Sequence, residues 1–119
     1  MITNLWESRE MVDSSPLRAV TEAWAALCRI CFIAIERTRG VEAASEWAVH
    51  LNMGDPTLAI PQLHMIGLRP EYHLVFVRLA LLEKQARRDG LDAVTPLAAR
   101  DFIDTCLALT PEIITLPIR

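Results

Sequence analysis

The 119-residue chain is poor in the residues that most small-molecule chemistry requires. It has only four glycines, so no phosphate-cradling glycine-rich loop is available. No G-x-S-x-G elbow occurs, and no cysteine sits beside a basic helix terminus. Lys84 is the only lysine; the other eleven bases are arginines. With 15 acids against 12 bases the net charge is −3, which gives no electrostatic reason to bind nucleic acid or an anionic membrane. The opening Met1–Glu7 lacks a basic region followed by an apolar one, so no signal peptide is expected. The uncharged stretch 56–68 is too short to cross a bilayer and contains Pro56, Pro61, His64 and Gly67. A cytoplasmic setting with reduced thiols follows for the three cysteines.

Apolar residues, by contrast, are abundant. They make up 52% of the chain, above the ~45–50% usual for soluble domains. A chain of this length buries roughly 65% of its unfolded surface, enough for one domain with its own core. Either the domain is densely packed or it buries surface against another chain.

Punctuation predicts the helices. Ser15-Pro16, Asp55-Pro56, Thr95-Pro96 and Thr110-Pro111 each set a capping residue before a proline, whose missing N–H costs nothing at a first helical position. Arg69-Pro70 is a weaker fifth case. Gly40 follows Arg37 and Arg39, and Gly90 follows Arg87 and Arg88, each a basic last turn closed by glycine. Gly54 closes a third segment. Helices are expected near 4–12, 16–39, 41–53, 70–88 and 96–109, with a proline-broken segment over 56–67. Pro111 opens a turn, and Ile113–Leu116 is expected to dock as an extended piece. Tyr72–Leu79 could pass for a buried strand, but the apolar pattern continues through Leu82 and Ala86 and favours helix. The prediction is an all-α bundle of about five helices, one domain over 1–119, with an amphipathic arm at 1–14 and a tail at 110–119.

Two of these helices are apolar nearly all round. In 16–39 a seam of Leu17, Val20, Trp24, Leu27, Cys31 and Ala34 recurs at three- and four-residue spacing. Only a narrow strip of Arg18, Glu22, Arg29 and Glu36 is charged on the far side. In 70–88, Val75, Leu79, Leu82 and Ala86 form one face and Leu74, Val77 and Leu81 another. A small monomer can wrap one such helix but seldom two, so one is expected at an interface, with an intertwined or face-packed homodimer as the simplest form. The interface candidates are Leu5, Trp6, Met11, Leu17, Val20, Trp24, Leu27, Cys31, Leu74, Val77 and Leu81. Leu5, Trp6 and Met11 suit a docking arm, since aromatics and methionine are enriched at interfaces.

The residues that could carry chemistry read better as plain packing or solvated surface. Cys28-Arg29-Ile30-Cys31 has C-x-x-C spacing, but it falls mid-helix among Leu27, Phe32 and Ile33 with no second ligand pair, so buried thiols explain it better. His50, His64 and His73 show no i, i+3 or i+4 pairing, and a metal site would have to be assembled by folding. Asp101 with Asp104, and Glu42 with Glu46, read as solvated helix faces. A helix-turn-helix over 44–68 meets Pro61 inside its recognition helix and no Lys or Arg from Val41 to Leu68, which argues against DNA contact. No cofactor or metal is expected.

What remains is a non-catalytic regulator that binds a partner protein through an apolar helical face and blocks that partner's association. As a short, acidic, arginine-over-lysine, all-helical chain with the long apolar helix Pro16–Arg39, it resembles the QslA-like antiactivators of LuxR-type quorum-sensing regulators in Gram-negative bacteria. The resemblance implies a dimer that binds a transcription factor's ligand-binding domain and blocks its dimerisation or DNA binding. It carries over no individual residue. The alternative reading is a small-ligand binder or enzyme with a pocket between helices 41–53 and 70–88, anchored by His50, His64, His73 or Tyr72.

Overall fold

A computed structural model describes residues 5–53, 55–90 and 94–116, apart from the side chains of Leu5 and Trp6. Among the described residues six α-helices run in chain order: α1 (Leu5–Glu10), α2 (Pro16–Arg39), α3 (Val41–Leu51), α4 (Ile60–Met65), α5 (His73–Asp89) and α6 (Pro96–Ile114). Turns of 3-10 helix over Pro56–Ala59 and Pro70–Tyr72 lead into α4 and α5. No strand occurs among the described residues, so the all-α expectation holds.

The punctuation acts as its chemistry requires, with two departures. The Asp55 carboxylate accepts from the Thr57 N–H at 3.0 Å, and the Thr95 hydroxyl accepts from the Ala98 N–H at 3.1 Å. Gly40 ends α2 at φ +96°, a conformation that L side chains rarely adopt, and its N–H reaches the Glu36 carbonyl at 2.9 Å. Ser15 precedes Pro16 but makes no side-chain cap. Thr110-Pro111 does not begin a new turn at all: α6 runs through Pro111 to Ile114. Proline inside a helix costs about 3 kcal/mol, through a lost hydrogen bond and a ring clash. Burial offsets it. Leu109 and Ile113 are buried on one side of α6, and each contributes about 1.5–3 kcal/mol. The Thr110 hydroxyl donates to the Cys106 carbonyl at 2.8 Å, and Thr115 donates to Pro111 in the same way. The Ile113–Leu116 run is therefore helix and turn, not an extended strand, with Ile113 and Leu116 both in the core.

α2 is the axis of the molecule and packs against α1, α3, α5 and α6. This explains its nearly all-round apolar sequence. Val20, Leu27, Cys31, Ala34 and Ile35 are buried against neighbours on different sides. α3 folds back antiparallel after Gly40. α6 runs parallel to α2: Arg100 approaches Asp13 at 3.7 Å near the two starts, and at the two ends Arg37 donates to the carbonyls of Ile114 and Leu116 at 3.3 and 3.4 Å. The guanidinium thereby satisfies carbonyls that the end of α6 leaves open. α5 runs the other way, since Arg69 at its entry meets Glu112 near the end of α6 at 3.2 Å. The radius of gyration, 13.8 Å, matches the ~13.5 Å of a compact domain of this length. The described residues thus close a core within one protomer.

The aromatic residues lock α2, α3 and α5 together. Phe76 packs between Trp24 and Trp47, with ring centroids 5.2 and 6.3 Å away. The buried Trp47 indole donates to the Ala59 carbonyl at 3.1 Å and so ties α3 to the turn ahead of α4. Gly67, at φ +111°, lets the chain turn beneath Leu116, whose Cδ2 would sit 3.3 Å from any added Cβ.

Candidate functional site

α5 buries one side only. Phe76, Leu79, Ala80, Glu83 and Ala86 face inward. Leu74 is 79% exposed, Leu81 51% and Leu82 43%, which places a row of leucines on the outer crest. Spacings of seven and eight residues bring Leu81 and Leu82 onto the same side as Leu74.

Beside this crest a groove of about 510 Å³ opens between α5 and α6. Both helices lean on α2, whose Val20 forms part of the floor. Val75, Leu79, Leu82 and Ala86 supply one apolar wall, and Ala98 and Phe102 the other. The rim is polar: Arg78, Gln85 and Asp89 on α5, Asp101 and Thr105 on α6. Arg78 and Asp101 stand on opposite walls, and neither side chain has an ion-pair partner among the described residues. Asp89 pairs only with its neighbour Arg88, at 3.2 Å.

The predicted contact residues separate sharply. Leu74 and Leu81 are exposed on the α5 crest, and Val77 is half-buried beside them. Leu27 and Cys31 are fully buried and Val20 is 3% exposed, so these three belong to the core and offer a partner almost no surface. Their seam turned inward because α2 is the central helix. Met11, Leu17 and Trp24 are half-buried. Trp24 lines a second, shallower recess of about 440 Å³ with Cys28, Phe32, Trp47 and Leu51. The Leu5 and Trp6 side chains lie outside the described residues, as does Gly54.

The histidine-lined pocket expected between 41–53 and 70–88 is not where the space lies. Trp47 and Phe76 pack together between α3 and α5, and no histidine lines either recess. Folding does bring two histidines together. His64 and His73 meet edge to face at 5.3 Å, and the His73 Nε2 lies 3.0 Å from the Leu68 carbonyl. Nine residues apart and on different helices, they carry no sequence signal of the pairing. His50 is half-buried on α3. No group of three or more potential metal ligands occurs among the described residues.

The remaining chemistry-bearing side chains are tied down. Burial raises the thiol pKa of Cys28 and Cys31 well above the ordinary cysteine range, and that of Cys106 to about 12. Thiols held neutral are poor nucleophiles, so the C-x-x-C spacing belongs to packing. Glu83 is 4% exposed; burial raises its pKa against the opposing pull of Arg87, which reaches it at 2.7 Å. Asp104 pairs with Arg9 at 3.5 Å, whereas Asp101 faces the groove. No helix among the described residues is long and apolar enough to cross a membrane.

The class of protein these features define is an all-α bundle with an open apolar groove. Compared with protein families, with curated proteins and with solved structures, the chain finds no match.

Proposed function

We propose that this protein is a non-catalytic, partner-binding regulator that acts by occlusion through the α5 crest and the α5–α6 groove. The observation that carries the reading is the exposure of Leu74, Leu81 and Leu82 beside an apolar cleft in a chain whose other long apolar helix is enclosed. Contiguous exposed apolar surface with a polar rim is what protein-binding sites present. The buried thiols, and a groove whose Thr105 hydroxyl donates to the Asp101 backbone carbonyl at 2.8 Å and not to a carboxylate, favour binding over catalysis. The resemblance to antiactivators names the partner to try first, a LuxR-type regulator, with blockade of that regulator's dimerisation as the effect. Two copies of this chain would associate by face packing, since each protomer closes its own core.

The test is binding of the purified chain to the ligand-binding domains of the LuxR-type regulators of its source organism. Leu82→Glu should weaken the complex at least about tenfold, the loss typical of a hot-spot contact. Ile33→Glu, at an exposed site on α2, should leave it intact. Equal affinity for wild type and Leu82→Glu would remove the groove from the reading, and no complex with any such regulator would remove the antiactivator.

A further inference from the structure

The groove has a shape and a charge order that select its occupant. It extends from Val75 to Asp89 along α5, about 21 Å or four helical turns. Its floor and walls are three helices, α2, α5 and α6, arranged around one flank that no described residue fills. A four-helix bundle fills such a flank with a fourth helix. The charges run in one direction along it. α5 is antiparallel to α6, so Asp89 stands at the same end as Ala98, and Arg78 stands toward Thr105 at the other. Asp101 lies one turn from Thr105, on the Asp89 side. Asp101 thus lies on the Asp89 side of Arg78, and neither has an ion-pair partner among the described residues, whereas Asp89 is held by Arg88 at 3.2 Å.

We infer that the groove takes a single amphipathic α-helix of about four turns, lying parallel to α6 and antiparallel to α5, from the partner proposed above. In this direction the positive end of the helix dipole meets Asp89 and Asp101, and the negative end meets Arg78. The docked face carries a leucine-like ridge at i, i+4, i+7 and i+11 for the apolar walls. A basic residue early in the helix faces Asp101, and an acidic residue about one turn later faces Arg78. The reverse direction would set the dipole and both side-chain pairs against the rim.

The inference rests on the partner-binding reading, but its test does not need the partner. The probes are two 15-residue alanine-based peptides with the same leucine ridge, both held helical by a hydrocarbon staple on the solvent face. One has arginine early in the helix and glutamate about one turn later; the other has the two exchanged. The first should bind at least about fivefold more tightly, the scale of the dipole and charge pairs together. Its amide shift changes should fall on Val75, Leu82, Asp101 and Phe102. The double variant Arg78→Glu with Asp101→Arg should invert the preference. Equal affinities, the opposite preference, or shift changes outside the groove overturn the inference. So does absence of binding at millimolar peptide, or shift changes at these residues on dilution of the protein alone, which would mark a second copy as the occupant. If the peptides fail while Leu82→Glu still disrupts the regulator complex, the helix is wrong and the partner-binding reading stands. If the peptides succeed and no regulator binds, the reverse holds.

Discussion

Replacing Trp47 by phenylalanine tests whether the α3–α4 junction is held as described. Trp47 is 1% exposed, packs on Phe76 and donates its indole N–H to the Ala59 carbonyl. Phenylalanine keeps an aromatic ring there but removes the donor, and the carbonyl of Ala59, the N-cap of α4, is left with its helix bond alone. Losing such a buried hydrogen bond costs about 0.5–1.5 kcal/mol. The smaller ring leaves unfilled space that costs about 1–2 kcal/mol more, part of the ~3–5 kcal/mol lost on full truncation of a buried aromatic. The expected loss is about 2.5 kcal/mol, a large share of the ~5–15 kcal/mol typical of a domain. The melting temperature should fall by roughly 10 °C, at about 4 °C per kcal/mol for a chain of this size. Trp24→Phe is the control. Trp24 also packs on Phe76, but it is half-buried and its indole makes no hydrogen bond among the described residues, so about 1 kcal/mol is expected. Urea denaturation of the three proteins, with m-values compared, measures both losses. If Trp47→Phe costs no more than Trp24→Phe, the buried hydrogen bond does not hold the junction.

Three further outcomes follow from other contacts. Arg37→Ala should lose about 1 kcal/mol by removing the cap on the end of α6, whereas Arg39→Ala, one residue before the same glycine, should stay within about 0.5 kcal/mol of wild type; thermal melts at low salt compare them. In the native protein all three cysteines should resist a thiol-specific reagent at pH 8 and react once urea unfolds the chain; rapid native labelling of Cys31 or Cys106 would contradict their burial. Glu83 binds its proton more tightly folded than unfolded. Its stabilising effect is complete below the ordinary glutamate value of 4.5 and is lost as pH rises through the higher folded value. Glu83→Gln should therefore show a smaller fall in urea midpoint from pH 4 to pH 7 than wild type; parallel pH profiles would contradict the raised pKa.

The helices were legible because their ends are written in local chemistry. Ser15-Pro16 and Gly40 bracket α2 at both observed limits, and Thr95-Pro96 opens α6 where its cap bond forms. Thr110-Pro111 misled for the same reason. It carries the local signal of a start, and only the burial of Ile113 and Leu116, supplied by residues far away in sequence, keeps α6 going. The apolar excess of α2 and α5 was equally visible, but its direction was not. A seam such as Val20–Leu27–Cys31 looks the same whether it meets a neighbour in its own chain or another protein, and here the neighbours are α1, α3, α5 and α6. Leu74 and Leu81 could be named as an apolar face, while the groove beside them depends on how far α5 and α6 stand apart, which no spacing encodes. The meeting of His64 and His73 is likewise a product of tertiary packing.

The partnership of α2 with α6 also bears on how the chain is made. The Arg37–Ile114 bond links residues 77 apart, and Ile113 and Leu116 sit in the same core as the α2 residues. During synthesis α2 leaves the ribosome well before α6, greasy on nearly every side, and must wait for α3, α4 and α5 to be made before its largest neighbour arrives. Long-range closure of this kind is slow, and exposed apolar surface in the interval invites aggregation. Chains stopped short of α6 should therefore be chaperone-bound or degraded rather than merely less stable.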